Sequence, residues 1–115
     1  MIRKDCDRTC FSKQMFGAPG EVDFRQILNA GEFFDKGRLF NHCVIKPGMG
    51  LGLHKHTDEI EVYYILSGEG RYDDNGTEVT VRPGDTTVCY DGESHAIYND
   101  GTEDLEFIAL ILFTK

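Results

Sequence analysis

Short runs rich in Val, Ile, Tyr, Phe and Thr alternate along the chain with Gly-, Pro- and Asn/Asp-bearing turn signals, such as Pro47-Gly48, Ser67-Gly68, Asn75-Gly76 and Pro83-Gly84. Runs of this length between tight turns predict many short strands. The expected strands are Val22–Leu28, Leu39–Ile45, Gly52–His56, Glu61–Ser67, Gly70–Asp73, Thr77–Val81, Thr86–Tyr90, His95–Asn99 and Leu105–Phe113. Asn75-Gly76 is the clearest hairpin, because a type I′ turn needs positive φ at both central residues. One helical candidate is short: Asn29 stands three residues before Glu32, an N-x-x-E spacing that resembles a capping box, with Phe33 and Phe34 expected to face the core. No internal repeat, low-complexity stretch or linker interrupts the pattern, so the expectation is one all-β domain over 1–115, with an N-terminal arm to about residue 20. Pattern alone leaves a sandwich, a jelly roll or a barrel open, since each protects its strand edges.

Charge narrows the partners. Twenty acidic against twelve basic side chains give a formal net charge of −8, which disfavours nucleic acid and anionic membrane surfaces and directs attention to a small molecule. The first ten residues carry Arg3, Lys4, Asp5, Asp7 and Arg8 where a signal peptide would need an apolar run, so a cytoplasmic location is expected. Cys6, Cys10, Cys43 and Cys89 lack paired C-x-x-C spacing, and in a reducing compartment they are expected to be free thiols.

The chemistry concentrates in two segments. In Gly48 to Gly68, His54 and His56 are two residues apart, so on a strand both imidazoles face one side while Lys55 faces the other. Glu61 opens the next strand with an inward parity shared by Tyr63 and Ile65, and a polar turn at Thr57-Asp58 intervenes. Glu59 competes with Glu61 as a ligand, but the spacing favours Glu61 and places Glu59 in the turn. The second segment, Gly84 to Asn99, contributes His95.

On these residues the chain resembles the cupin superfamily, in particular its small one-domain members. The first cupin motif, G-x5-H-x-H-x4-E-x6-G, is met by Gly48, His54, His56, Glu61 and Gly68. The second, G-x5-P-x-G-x2-H-x3-N, is met by Gly84, Gly92, His95 and Asn99, with Tyr90 in place of the proline. The resemblance implies an all-β double-stranded β-helix, or jelly-roll barrel, holding one divalent ion on His54, His56, Glu61 and His95. Three imidazoles and one carboxylate suit Mn, Fe, Ni, Co or Zn, and with one carboxylate the centre keeps a charge near +1 that favours anionic, oxygen-chelating ligands.

The leading expectation is therefore a metal-dependent enzyme acting on a small organic acid or sugar derivative, of dioxygenase, isomerase, lyase or decarboxylase type. The alternatives are a non-catalytic small-molecule or metal-binding module, and a structural barrel with a vestigial site. Oxalate decarboxylases of the superfamily carry an arginine three residues before the first metal histidine, where this chain has Leu51, so oxalate chemistry ranks lower. Tyr63 and Asn99 are candidate pocket residues, Arg25 a candidate anchor for a substrate anion, and His42 a surface group; the orientation of Cys89 is open. The resemblance also implies a homodimer, paired through N-terminal strands, with Val22–Leu28 and the strand ending at Phe113 as edges that need covering.

Overall fold

The computed structural model describes residues 1–115. Ten strands form two antiparallel sheets: β1 (Cys10–Lys13), β2 (Val22–Gln26), β3 (Gly37–Ile45), β4 (Gly50–Lys55), β5 (Glu59–Ser67), β6 (Gly70–Asp74), β7 (Thr77–Val81), β8 (Thr86–Cys89), β9 (Ser94–Tyr98) and β10 (Leu105–Phe113). The larger sheet runs β1-β2-β3-β10-β5-β8 and the smaller β4-β9-β6-β7. This is the expected all-β jelly roll. Asn75 and Gly76, at φ 52° and 100°, make the β6–β7 hairpin turn as expected.

The period-two pattern sorts each strand into an inner and an outer face. On β10 the buried residues are Leu105, Phe107, Ala109 and Ile111, and on β5 they are Glu59, Glu61, Tyr63 and Ile65. Along these inner faces the chemistry changes. Ile45, Ile65, Ile97, Leu105 and Phe107 pack into a fully buried core, whereas the other ends of β4, β5 and β9 bring His54, His56, Glu61 and His95 inward. Tyr63 joins the two zones, its ring 4.6 Å from Phe107 and 4.9 Å from His95, centroid to centroid.

Two β-bulges set side-chain direction near the polar end. In the β4–β9 ladder, Leu51 opposes Ile97 and His54 opposes His95, so three steps on β4 match two on β9. That extra residue puts Leu51 in the core and His54 on the same inner side, despite their opposite parity, while Leu53 points to solvent. The bulge needs Gly52: a Cβ there would overlap the carbonyl oxygen of Phe16, and the Gly52 N–H donates to the Met15 carbonyl at 3.0 Å. In the β3–β10 ladder, Leu39 opposes Ile111 and Gly37 opposes Leu112, so Arg38 is the unpaired residue. Gly37 is required in turn, because a Cβ would overlap the Ile111 carbonyl oxygen.

Two expectations need correction. The 29–36 segment is a series of turns, not a helix. Glu32 accepts from the Asn29 backbone N–H at 2.6 Å, but the Asn29 side-chain oxygen has no partner, so only half of the capping box forms. Phe34 and Asp35 then enter the left-handed region at φ 50° and 59°, and Phe34 ends 83% exposed instead of facing the core. The one helical turn lies elsewhere, at Asp5–Asp7. The arm also contributes structure: β1 pairs with β2, Met15 bridges to Leu51, and Ala18 is buried.

Candidate metal centre

His54 and His56 come from β4 and the residue following it, Glu61 from β5 and His95 from β9, and their ligand atoms lie within 4.8 Å of one another. Glu61 Oε1 is 2.9 Å from His95 Nε2, 3.0 Å from His56 Nε2 and 3.4 Å from His54 Nε2. His95 Nε2 is 3.0 Å from His54 Nε2 and 3.2 Å from His56 Nε2. Bonds of about 2.1 Å give coordination-polyhedron edges of roughly 3.0 Å (octahedral) to 3.4 Å (tetrahedral), so these separations suit a shared cation.

The outer partners point the same way. His54 Nδ1 lies 2.7 Å from the Gly52 carbonyl, which only accepts, and His56 Nδ1 lies 2.6 Å from Glu59 Oε2. Both Nδ1 atoms therefore carry the proton and leave the Nε2 lone pairs turned inward. The Tyr72 hydroxyl, 2.7 Å from His95 Nδ1, can accept in the same manner. Three inward lone pairs, that of His95 about 3 Å from each of the others and all beside a carboxylate, repel one another unless a positive charge sits among them. The donor set fits a divalent ion.

Electrostatics favour charge among these groups: burial works against a charged His56, but the Glu61 and Glu59 carboxylates outweigh it and raise that imidazole above its ordinary value, so a proton competes with a metal ion there. Burial pushes the Glu61 carboxyl up, but the three imidazoles around it outweigh burial and hold the group well below the ordinary carboxylate range. Arg38, gripping Glu59 through Nε and Nη2 at 2.8 Å each, holds that carboxyl below its usual value too. Burial keeps His95 below the ordinary imidazole value and so favours its neutral form. Burial also pushes the Cys89 thiol up to about 12 and the Cys43 thiol well above its usual value. Neither is a ready thiolate ligand.

A cavity of about 60 Å³ adjoins His54, His56 and Glu61, with Phe24, Leu39, Leu51, Ala109 and Ile111 forming apolar walls. The Phe16 ring, 57% exposed, stacks on His54 at 4.3 Å and covers one side. A larger surface depression of about 360 Å³ near Arg71 lies elsewhere, and there Arg71 is already paired with Asp100 and Glu78.

The remaining candidate residues are placed as follows. Tyr63 is inside, its buried hydroxyl without a partner, and burial followed by the Glu61 charge pushes its phenol well above the usual range, so it stays a neutral donor. Asn99 is buried but closes a turn, donating to the Ile45 and Glu103 carbonyls and accepting from the Gly101 N–H. Arg25 lies in a surface depression with Cys10, Ser12 and Asp23 and does not line the cavity. His42 is outside, paired with Glu106 at 2.8 Å. Cys89 is buried opposite Glu61 in the β5–β8 ladder, away from the cavity lining.

Arg38 escaped the sequence reading, and Glu59 was placed in the wrong element. Glu59 is the first residue of β5 and buried, not part of the preceding turn. Its signal was available, since Glu59, Glu61 and Tyr63 share one parity. Arg38 reaches the cavity because it is the bulged residue, and the preceding Gly37 was the only trace of that in the sequence.

Fold and site define a jelly-roll barrel with a buried three-histidine, one-glutamate cluster suited to a metal ion. Residues 41–111 match the Cupin domain family, and the chain belongs to the cupins. A Thermotoga maritima protein named oxalate-binding protein is 46% identical over 98 residues, spanning 85% of this chain and 81% of that protein. A Thermotoga maritima crystal structure described as a predicted oxalate decarboxylase superimposes with a TM-score of 0.92 at 41% identity, covering 98% of this chain and 99% of that one. The polyketide cyclase RemF from Streptomyces resistomycificus shares the fold, with a TM-score of 0.79 at 18% identity, covering 100% of this chain and 81% of that one.

Proposed function

We propose that this chain holds one divalent transition-metal ion, Mn, Fe, Ni, Co or Zn, on His54, His56, Glu61 and His95, and uses it to bind a compact, anionic, oxygen-chelating organic molecule. The observation that carries the reading is the convergence of three Nε2 atoms on Glu61 Oε1, with the outer nitrogens of His54 and His56 committed to acceptors. A divalent ion there supplies a Lewis acid that draws oxyanions and stabilises negative charge on a bound oxygen. The residues around it do the rest. Glu59 and Gly52 orient two imidazoles, the apolar walls exclude water, and Phe16 narrows access.

The small cavity argues for a ligand of few atoms, since about 60 Å³ is roughly the volume share of two waters. Leu51 weighed against oxalate as ligand, because it removes the arginine used by oxalate decarboxylases. The relative named oxalate-binding protein weighs the other way, and a two-carbon dicarboxylate is the smallest dicarboxylate that can chelate an ion. Oxalate is accordingly the first ligand to test, in a binding or a decarboxylase-, dioxygenase-, isomerase- or lyase-type role.

We also propose a homodimer, seated on the outer face of the larger sheet, since β2 and β10, expected as edges, are interior strands there. Phe40, Val62, Ile108 and Leu110 are neighbours in the β3–β10–β5 ladders and all remain partly exposed there. Such a face is what a second copy would cover.

Tag-free protein and a His56→Ala variant are analysed for bound metal, then titrated with oxalate. One equivalent of metal per chain, lost in the variant, together with oxalate binding that requires the metal, supports the reading. Wild-type protein that takes up none of the five metals refutes it.

A further inference from the structure

We propose that Arg38 recognises the second anionic group of the ligand, so that the site selects compact dicarboxylates over monocarboxylates; this rests on the metal-and-anion reading above. Among the side chains lining the cavity, Arg38 carries the only permanent positive charge. It comes from a different strand than position 51, and it reaches the cavity through the bulge opposite Ile111 and Leu112. Bulges beside functional sites re-aim single side chains in this way.

Its hydrogen bonding leaves capacity for a ligand. Of the five guanidinium N–H groups, one on Nε and one on Nη2 are given to Glu59, each at 2.8 Å. The other three, on Nη1 and the second position of Nη2, have no protein acceptor. The side chain is 52% exposed and also borders a surface depression of about 440 Å³ formed with Phe33, Phe34 and Phe113.

The clamp on Glu59 matters for selectivity. It fixes the planar fork in one orientation, so little side-chain freedom is lost when a carboxylate docks on the free edge. It also offsets the arginine charge, which limits nonspecific attraction and leaves geometry to discriminate. Apart from the four-residue cluster and Arg38, the lining is apolar but for the Cys43 thiol, a weak donor. A dicarboxylate on the ion thus has Arg38 as the one cationic side chain of the lining able to receive a carboxylate oxygen the ion does not hold. A monocarboxylate gains nothing from it.

The test titrates metal-loaded wild type, Arg38→Gln and Arg38→Lys with oxalate and with acetate by calorimetry, with metal content measured in each preparation. Arg38→Gln should lose roughly 10- to 100-fold in oxalate affinity, the usual worth of hydrogen bonds to a charged group, while acetate affinity and metal content change by less than about 3-fold. Arg38→Lys keeps a charge over Glu59 but not the fork; it should retain metal and recover only part of the oxalate affinity, and it carries the test if Arg38→Gln fails to hold metal. Unchanged oxalate affinity in Arg38→Gln overturns the inference. So does a parallel fall in oxalate, acetate and metal in both variants, which would mean that Arg38 acts only through Glu59. Wild-type metal-loaded protein that binds neither anion instead overturns the anion reading, and this inference with it.

Discussion

Glu59 is not one of the four metal-holding residues, yet its conversion to Gln should weaken metal binding, and the size of the effect follows from its two oxygens. Oε1 accepts only from Arg38 Nε, whereas Oε2 accepts from both Arg38 Nη2 and His56 Nδ1. A Gln amide has one acceptor. Placing its oxygen at the Oε2 position keeps two contacts and sets the NH₂ against one guanidinium N–H; the reverse placement keeps one contact and sets the NH₂ against two N–H donors. The first arrangement wins, so His56 keeps its acceptor, but a neutral and weaker one. Loss of an outer-shell partner ordinarily costs 10- to 100-fold in metal affinity. Glu59→Gln should fall near the lower limit, about 10-fold or roughly 1.4 kcal/mol, and Glu59→Ala near the upper. Metal-free stability should drop separately, by about 1–2 kcal/mol, a value reduced because Arg38 is half exposed. Competition against a chromophoric chelator measures the first quantity and urea unfolding of the metal-free protein the second. Metal affinity within about 2-fold of wild type in Glu59→Ala would refute the argument that Glu59 orients His56.

Phe16→Ala removes the ring stacked on His54 and should speed metal loss to a chelator several-fold while leaving equilibrium affinity nearly unchanged, as stopped-flow and equilibrium titrations would report. The Arg3–Glu32 pair, 2.8 Å apart, ties the N-terminus to the 29–36 turns, and its hydrogen bond holds the Glu32 carboxyl below the usual value of 4.5. A depressed carboxylate contributes above its unfolded pKa and stops contributing as pH falls through the folded one; hydrogen exchange at residues 1–8, corrected for intrinsic rates, should therefore accelerate below about pH 4.5, and Glu32→Gln should remove that dependence. Leu110→Asp, in the middle of the outer sheet face, should convert the proposed dimer to monomer in sedimentation experiments with metal content retained.

The ligand cluster was legible because its geometry is local. His-x-His on a strand fixes two imidazoles on one face by parity alone, and Glu61 and His95 fall at spacings that the two motifs share. The same parity rule would have set Arg25 aside: Val22 and Phe24 point inward, so Arg25 between strand partners points out. Asn99 could not be placed from the sequence for another reason. A polar residue beside a ligand strand can line a site or close a turn, and only the positions of the Ile45 and Glu103 carbonyls decide between them.

What stayed hidden depends on departures from strict alternation. With no bulge in β4, Leu51 and His54 would lie on opposite faces, and the core and the metal cluster could not both be served by one strand. With no bulge in β3, Arg38 would follow the outward parity of Phe40 and His42, and the cavity would have no cation of its own. Both departures sit at glycines whose missing Cβ admits a carbonyl oxygen, from Phe16 at Gly52 and from Ile111 at Gly37. A glycine in a strand announces that the backbone comes close to something, but it does not say what the next residue will then face. In this barrel the answer differs at the two sites: at Gly52 the irregularity brings a ligand into line with the core, and at Gly37 it turns a surface arginine toward the same centre from the opposite sheet. The site is thus assembled by two breaks in the very alternation that made the fold readable.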